Sequence, residues 1–298
     1  MELHRQRIVE RHTTATEVLK ENLPIEPLSH LIFTIDGYNV TDETTLAEIL
    51  GFINNIQVTR EGVGILDLQS KDLYGVNAYL YRHLPELTGR LATDNEQRTL
   101  TMVIPFGRKL CDPNECYPAT KKGELVLRVD TTVPATSIDN STISIDAVTL
   151  PGANPSRYLK TVRKALSAPG ATGEFEFELP TGNKLVAIQF RLVTVPTTSS
   201  HAYGVNIVKL MCDNKEALYT SADMMCMMGE RGLRIGHPNA TIAAQGLGPL
   251  ELIAWLDLDP VGSDDFLLDT AGKSSVKLNL NYGVNEAVDL TTLELVAV

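Results

Sequence analysis

The chain repeats part of its own sequence at a fixed distance of 151 residues. The stretch from Asn55 to Asp72 matches the stretch from Asn206 to Asp223 at four of eighteen positions. The same offset places the alternating apolar residues of 125–129 on those of 276–280. With one residue dropped, it also places 142–145 on 292–295. Because one offset holds in three separate regions, we infer that the chain contains a duplicated unit.

The composition is that of an ordinary globular protein with room for two hydrophobic cores. The chain has 298 residues, of which 43% are hydrophobic. Its formal net charge of −11 argues against a sequence-specific nucleic-acid-binding protein, which needs a basic surface. The sequence has no run of about 18 apolar residues that would predict a membrane span, and its start lacks the apolar core of a secretory signal. We therefore expect synthesis in a cytoplasm, with the four cysteines mostly present as free thiols.

Alternating apolar residues and closely spaced turn signals predict seven or eight short strands in each unit. The pattern shows one clear helix per unit, whereas a parallel sheet needs a crossover helix between most strands, so we expect antiparallel sheets. The two helices follow Ser70 and Ser221, whose hydroxyl groups we expect to cap them. The predicted fold class is all-β: two consecutive eight-stranded antiparallel jelly rolls with one short helix each, plus an N-terminal helix.

These patterns also predict the domain boundaries. Residues 1–27 form an N-terminal helical arm, and residues 28–150 form the first jelly roll. Residues 151–173 form a linker, with a short helix at 156–167 between two turn-rich segments. Residues 174–298 form the second jelly roll.

The arm carries three arginines, Arg5, Arg7 and Arg11. Apolar residues at helical spacing predict a helix over residues 1–23, in which four basic residues are balanced by four acidic ones. The favoured interpretation is a solvated helix docked on the body of the protein. The alternative is an arm that faces a neighbouring subunit or a membrane surface.

The sequence contains no motif typical of catalysis or of a bound cofactor. Its six histidines are too far apart for a His-x-His pair, and it has neither a Gly-rich phosphate loop nor a Gly-x-Ser-x-Gly motif. We therefore predict no cofactor and no enzymatic activity. An acidic segment supplies weak candidates for a Ca²⁺ site, although a solvated loop is the favoured interpretation. The candidate ligands are Asp257, Asp259, Asp264 and Asp265.

Two further features each allow a structural and a functional interpretation. The run Met224–Met228 is expected to fill the core, because Met adapts to irregular gaps. Its alternative role is an adaptable contact between subunits. The single tryptophan, Trp255, lies in a predicted strand, and we expect it in the core rather than on a carbohydrate-binding surface.

The arrangement of two matched units resembles the double jelly-roll major capsid proteins of icosahedral viruses, which often contain an internal lipid membrane. The first unit carries this resemblance in 31–35, in 53–68 with the Ser70 helix, and in 142–150. The second unit carries it in 184–194, 205–219 with the Ser221 helix, and 290–298. The short loops resemble those of the small bacteriophage and archaeal-virus members.

The resemblance implies a structural protein of the virion. Three chains would form a homotrimer, and its six jelly rolls would give a pseudo-hexameric capsomer that tiles an icosahedral shell. The partners implied are other copies of the chain, neighbouring capsomers, minor capsid or vertex proteins and, as a further candidate, an internal viral membrane. The arm with Arg5, Arg7 and Arg11 would face that membrane or a neighbouring capsomer.

Two other functions stay open at this point. The first is a two-jelly-roll glycan hydrolase that uses carboxylates such as Asp257 or Asp265 in the groove between the units. The second is a minor binding module such as a spike protein. Such modules rarely need two matched units, and they usually expose more aromatic residues than the 6% found here.

Overall fold

The computed structural model describes residues 2–40, 42–88, 94–132, 136–195, 203–217, 222–235 and 248–298. The chain divides into two compact units. Among the described residues, unit 1 runs to Val162 and also includes Gly248 and Ala297–Val298, and unit 2 contains the rest from Arg163 to Val296. The division falls inside the segment predicted as a linker. The other predicted boundaries, at 27, 150 and 173, stay predictions.

Unit 1 contains two antiparallel sheets. The first has the order β1 (His4–His12), β9 (Ile138–Thr149), β3 (Leu28–Asn39), β7 (Gln97–Pro105) and β6 (Glu86–Thr88). The second has the order β2 (Val18–Asn22), β8 (Leu125–Thr131), β4 (Ile53–Arg60) and β5 (Val63–Leu68). With the short β6 set aside, the eight strands take the chain order 1-8-3-6 in one sheet and 2-7-4-5 in the other. This is the strand order of a jelly roll.

Unit 2 has the same strand order. Its first sheet contains β10 (Arg157–Leu166), which continues from unit 1, then β19 (Val288–Ala297), β12 (Lys184–Arg191) and β16 (Ile253–Asp257), with β17 (Leu268–Asp269) beside β12. Its second sheet contains β11 (Gly173–Glu178), β18 (Val276–Tyr282), β13 (Val205–Cys212) and β14 (Lys215–Glu216), with β15 (Ala222–Asp223) beside β13. The predicted all-β fold of two jelly rolls is confirmed.

The sequence repeat corresponds to equivalent strands in the two units. β8 and β18 begin and end 151 residues apart, and each pairs with the matched strand, β4 or β13. Both strands alternate buried and less buried residues, as expected for a sheet with one face on a core. The inward-facing positions are at most 1% exposed. They are Leu125, Leu127 and Val129 in unit 1 and Val276, Leu278 and Leu280 in unit 2.

The two predicted helices are present at matched places, after the fifth strand of each roll. They are α2 (Ser70–Tyr81) and α3 (Met224–Ile235). The described residues contain two more helices, α1 (Leu46–Gly51) and α4 (Gly248–Glu251), which were not predicted from the sequence. A signal for α1 was available, because Thr45 and Glu48 form a reciprocal capping box with the spacing typical of a helix start.

The helix predicted over residues 1–23 is wrong, because this segment forms β1 and β2. β1 pairs with β9 from His4↔Thr149 to His12↔Thr142, so its backbone groups find partners that are far away in the sequence. Val9 is buried in β1, while most of its neighbours are exposed. This edge strand contains few apolar residues, and their spacing happens to match that of a helix. The conformation is set instead by pairing with a distant strand.

The short helix predicted at 156–167 is also wrong. This segment is β10, in which Leu159 and Thr161 are buried two residues apart. The side chains with helical spacing, Leu159, Val162 and Leu166, do not share one buried face, since Val162 is half-buried. Here too, pairing with distant strands overrides the local pattern.

The predicted caps differ from the observed helix starts. Gln69 is the N-cap of α2, whereas Ser70 is the first residue of the helix. The Ser70 hydroxyl lies near the carbonyl oxygens of Leu50 and Ile53 and donates to this pair, at 3.1 Å from the Ile53 oxygen. Ser221 lies outside the described residues. At the start of α3, Asp223 Oδ1 accepts a hydrogen bond from the backbone N–H of Met225 at 2.8 Å.

Candidate functional site

The arginines of the N-terminal segment lie on β1 and bind a carboxylate of the neighbouring strand. Arg5 Nη2 donates to Asp146 Oδ2 at 2.6 Å, and Arg7 Nε donates to the other oxygen of Asp146. The Asp146 side chain is 9% exposed, whereas the Arg5 side chain is 56% exposed. Arg11 pairs with Glu17 at 3.5 Å. The three arginines therefore lie along a paired strand, not on a separate helical arm.

The two arginines change the titration of Asp146. Burial raises the pKa of this carboxyl, but the hydrogen bonds and charges of Arg7 and Arg5 outweigh that effect and hold the pKa below its ordinary value. The hydrogen bond to Asp146 likewise raises the pKa of Arg7. The ionised triad fixes the position of β1 on β9 at neutral pH.

β1 is an edge strand. It pairs with β9 on one side, and in the described residues no strand pairs with its other side. β14 has a similar position in unit 2, where it pairs with β13 at Met211↔Glu216 and Cys212↔Lys215. Edge strands offer unpaired backbone N–H and C=O groups, which can add a strand from another molecule.

The four aspartates proposed for Ca²⁺ do not form a ligand set. Asp257 pairs with Arg234 and accepts a hydrogen bond from the backbone N–H of Asp259 at 3.0 Å. Asp265 Oδ2 accepts from the Ser263 hydroxyl at 2.7 Å. Within the described part of the chain, no group of three or more His, Cys, Asp or Glu side chains is placed to hold a metal ion. Asp264 joins no such group either.

The methionine run shows features of both interpretations. Met224 and Met227 are buried in the core of unit 2, at 0% and 3% exposure. Met225 on the opposite side of α3 is 61% exposed, and Leu233 two turns later is 86% exposed. The matched helix α2 is buried over most of its length. The two helices thus differ in how much apolar surface they leave open.

Trp255 lies in the core of unit 2, as predicted. Its side chain is 3% exposed in β16, and its indole N–H donates to Gln189 Oε1 at 3.0 Å. All four cysteines are free, whereas the sequence predicted that most of them would be. Burial raises the pKa of the Cys116 thiol to about 11, so this thiol is protonated at neutral pH.

A buried ionic cluster in unit 1 was missed in the sequence. The Glu115 side chain is 3% exposed and binds Arg108 at 2.8 Å and Arg157 at 3.0 Å. Gly107 leaves room for the backbone of Glu115, because a Cβ atom at position 107 would clash with the Glu115 carbonyl oxygen. The cluster holds the loop before β8 against the start of β10. No local pattern joins Glu115 to Arg157, so only the folded chain reveals the contact.

No helix within the described ranges is both long enough and apolar enough to span a membrane. The described residues offer open strand edges and one partly open helix face. These surfaces are suited to association through backbone pairing and apolar contact.

Comparison with known proteins gives no match in sequence and clear matches in structure. No model of a known protein family and no curated protein matches the chain. The crystal structure of the STIV MCP matches with a TM-score of 0.74 and 11% identity, over 100% of this chain and 97% of that chain. The major capsid protein P2 from Bacteriophage PM2 matches with a TM-score of 0.65 and 13% identity, over 100% of this chain and 98% of the other.

A third match comes from the atomic structure of Sulfolobus Turreted Icosahedral Virus, with a TM-score of 0.71 and 11% identity. It covers 100% of this chain and 91% of that chain. At these low identities the similarity establishes the fold. The chain has the double jelly-roll fold of viral major capsid proteins over its full length.

Proposed function

We propose that the chain is the major capsid protein of an icosahedral virus and has a structural role in the virion. The single observation that carries this proposal is the full-length similarity to the STIV MCP, which leaves 3% of that chain unmatched. A capsid shell depends on the shape and contacts of its subunit, so a shared architecture is more informative here than it is for an enzyme, whose chemistry depends on a few side chains.

The duplicated unit suits a closed ring of three chains. Two matched rolls per chain give six rolls per trimer, so a threefold oligomer acquires nearly sixfold edges and can tile a hexagonal lattice. The partners proposed are other copies of the chain and neighbouring capsomers, followed by minor capsid or vertex proteins and an internal membrane. Assembly takes place in the host cytoplasm. The β1 surface with Arg5, Arg7 and Arg11 is the proposed contact with a neighbour.

The hydrolase alternative has no support in the described residues. Asp257, one of its proposed carboxylates, is engaged by Arg234, and a glycosidase needs a pair of carboxyl groups facing one substrate bond. A structural role needs neither a catalytic group nor a cofactor.

Light scattering of the purified protein tests the proposal. We expect a stable species of about 100 kDa, three times the chain mass of 32.6 kDa. A species that stays at 32.6 kDa at all accessible concentrations contradicts the capsid function. A monomer that also cleaves glycosides, and loses that activity in an Asp257→Asn variant, would establish the hydrolase instead.

A further inference from the structure

The strand β5 of unit 1 has a neighbour on both sides, and one of these neighbours is parallel to it. β5 pairs with β4 on one side in antiparallel fashion. On its other side, Thr161 and Val162 of β10 pair with Leu66 and Asp67 of β5 in parallel. The residues of β10 that make this contact belong to unit 1. The fifth strand of unit 1 therefore pairs with a parallel strand on the side that faces away from β4.

The duplication assigns a counterpart to each strand of this pair. β5 corresponds to β14, because both are the fifth strand of their roll and the 151-residue offset superimposes them. β10 corresponds to β1, the first strand of a roll. The backbone supports this second match. Arg5 pairs with Val148, and the equivalent residues, Ser156 and Val298, are joined by a backbone hydrogen bond of 3.1 Å.

Both counterparts have an open side. In the residues that the structure describes, β14 pairs with β13 alone and β1 pairs with β9 alone. Lys215 and Glu216 of β14 are exposed, as are Glu10 and Arg11 of β1. Within the described ranges, β14 therefore has no counterpart of the strand that covers β5, and β1 has no counterpart of the strand that pairs with β10.

We propose that β1 of one copy adds in parallel to β14 of a second copy, as β10 adds to β5 within unit 1. This inference rests on the proposed function and identifies the surface through which the copies bind one another. The contact joins two different surfaces of the same chain, so it is heterologous, and it generates a closed ring when the rotation between copies closes. In a trimer, every β1 and every β14 would then be paired.

The charges of the two edges are complementary in this register. The pair Leu66↔Thr161 becomes Ala217↔Glu10 when each residue is shifted by 151, and Ala217 directly follows β14. Lys215 then lies diagonally across from Glu10, and Glu216 lies diagonally across from Arg11. Diagonal neighbours on the same face of a sheet are within reach of long side chains, and opposite charges there are favourable. Each edge supplies one acid and one base to these two pairs.

Chemical crosslinking tests the contact directly. The double variant Glu10→Cys with Lys215→Cys places two thiols on one face of the proposed ladder, in a Cys226→Ser background that removes the exposed native thiol. A short bifunctional thiol reagent should give covalent species of two and three chains on a denaturing gel. The control is Lys20→Cys with Lys215→Cys, which uses an exposed residue of β2 and should stay at one chain.

The outcomes separate this contact from the proposed function. Particles with the mass of three chains that do not crosslink would overturn the β1–β14 contact and leave the capsid function intact. A chain that stays monomeric by light scattering would overturn both. Equal crosslinking of the β2 control would also overturn the contact, because it would show that proximity is not specific to β1.

Charge exchange provides an independent test. Arg11→Glu should raise the dissociation constant of the oligomer about tenfold, because it places like charges across the ladder. Adding Glu216→Arg should restore association. A double-mutant cycle on Arg11 and Glu216 measures the coupling energy between these two positions across the contact. Equal weakening by both substitutions, without rescue, would contradict the proposed register.

Discussion

Asp146 binds side chains of the first strand, in addition to the backbone pairing between β1 and β9. Its carboxylate receives hydrogen bonds from Arg5 and Arg7, which are 141 and 139 residues away in the sequence. The two arginines are recognisable in the sequence, but their partner is not, because nothing local to residues 5–11 points to residue 146. A helical arm and an edge strand can have similar charged sequences. The contact with the distant Asp146 carboxylate is visible only in the folded chain.

Removing that carboxylate should destabilise unit 1. We expect Asp146→Asn to lower the free energy of unfolding by about 1–2 kcal/mol at pH 7, since two arginines lose a charged acceptor. Because the folded pKa of Asp146 is depressed, its contribution is present above the unfolded pKa and is lost as the pH falls through the folded value. Urea unfolding at pH 7 and pH 3 measures this, with a smaller difference expected at pH 3.

The matched control is Glu10→Gln, which removes an exposed carboxylate that pairs with Arg7. Exposed pairs contribute little, so this variant should change stability by less than about 0.5 kcal/mol. A control that destabilises as much as Asp146→Asn would contradict the role assigned to Asp146.

His30 should make the protein sensitive to acid. Burial lowers its pKa to about 4, with a smaller effect from Arg5, and its Nδ1 lies 2.9 Å from the Ser29 hydroxyl. The folded state keeps His30 neutral while the unfolded chain takes up a proton below about pH 6.5. Stability should therefore fall between pH 6.5 and pH 4, by up to about 3 kcal/mol from this group. In a His30→Gln variant the pH dependence of urea unfolding over that range should be weaker, and an unchanged profile would contradict the assignment.

At the scale of elements, β8 and β18 are equivalent parts of two cores. Leu127 and Leu278 lie 151 residues apart and are both at most 1% exposed. Truncating either to Ala removes a fully buried side chain from a packed sheet, at a cost of about 2–5 kcal/mol. We expect Leu127→Ala and Leu278→Ala to lower the stability of their own units by similar amounts, as measured by chemical denaturation with amide hydrogen exchange.

The exposed position Arg128 on β8 supplies a control, because Arg128→Ala changes a solvent-facing residue of the same strand. It should cost less than about 0.5 kcal/mol. A large loss for Leu127→Ala together with no loss for Leu278→Ala would show that the two strands are not equivalent.

The elements also show how far a single sequence can predict this fold. β8 and β18 were predictable, because each has strict alternation and the repeat reports them twice. β1 and β10 were predicted as helices, since their apolar residues are few and their pairing partners are distant in the sequence. β14 has two residues, which is too short for any periodicity to be visible. The proposed assembly site consists of such strands, so the fold was easier to predict than the site.

At the scale of the whole molecule, the duplication links fold and function. Two rolls with the same strand order lie in one chain, and the fold matches capsid proteins over its full length. A chain of this kind can form a ring with twice as many similar units as it has subunits. The two rolls differ in exposed apolar surface, since Met225 on α3 is exposed whereas α2 is buried over most of its length.

Electron microscopy of the purified oligomer tests whether the chain builds a capsid. Class averages should show a particle with a hexagonal outline, six similar densities and threefold symmetry, and concentrated samples should form hexagonal sheets or closed shells. A uniform population of single two-lobed particles, with no ring at any concentration, would contradict the claim that the duplicated chain builds a capsid.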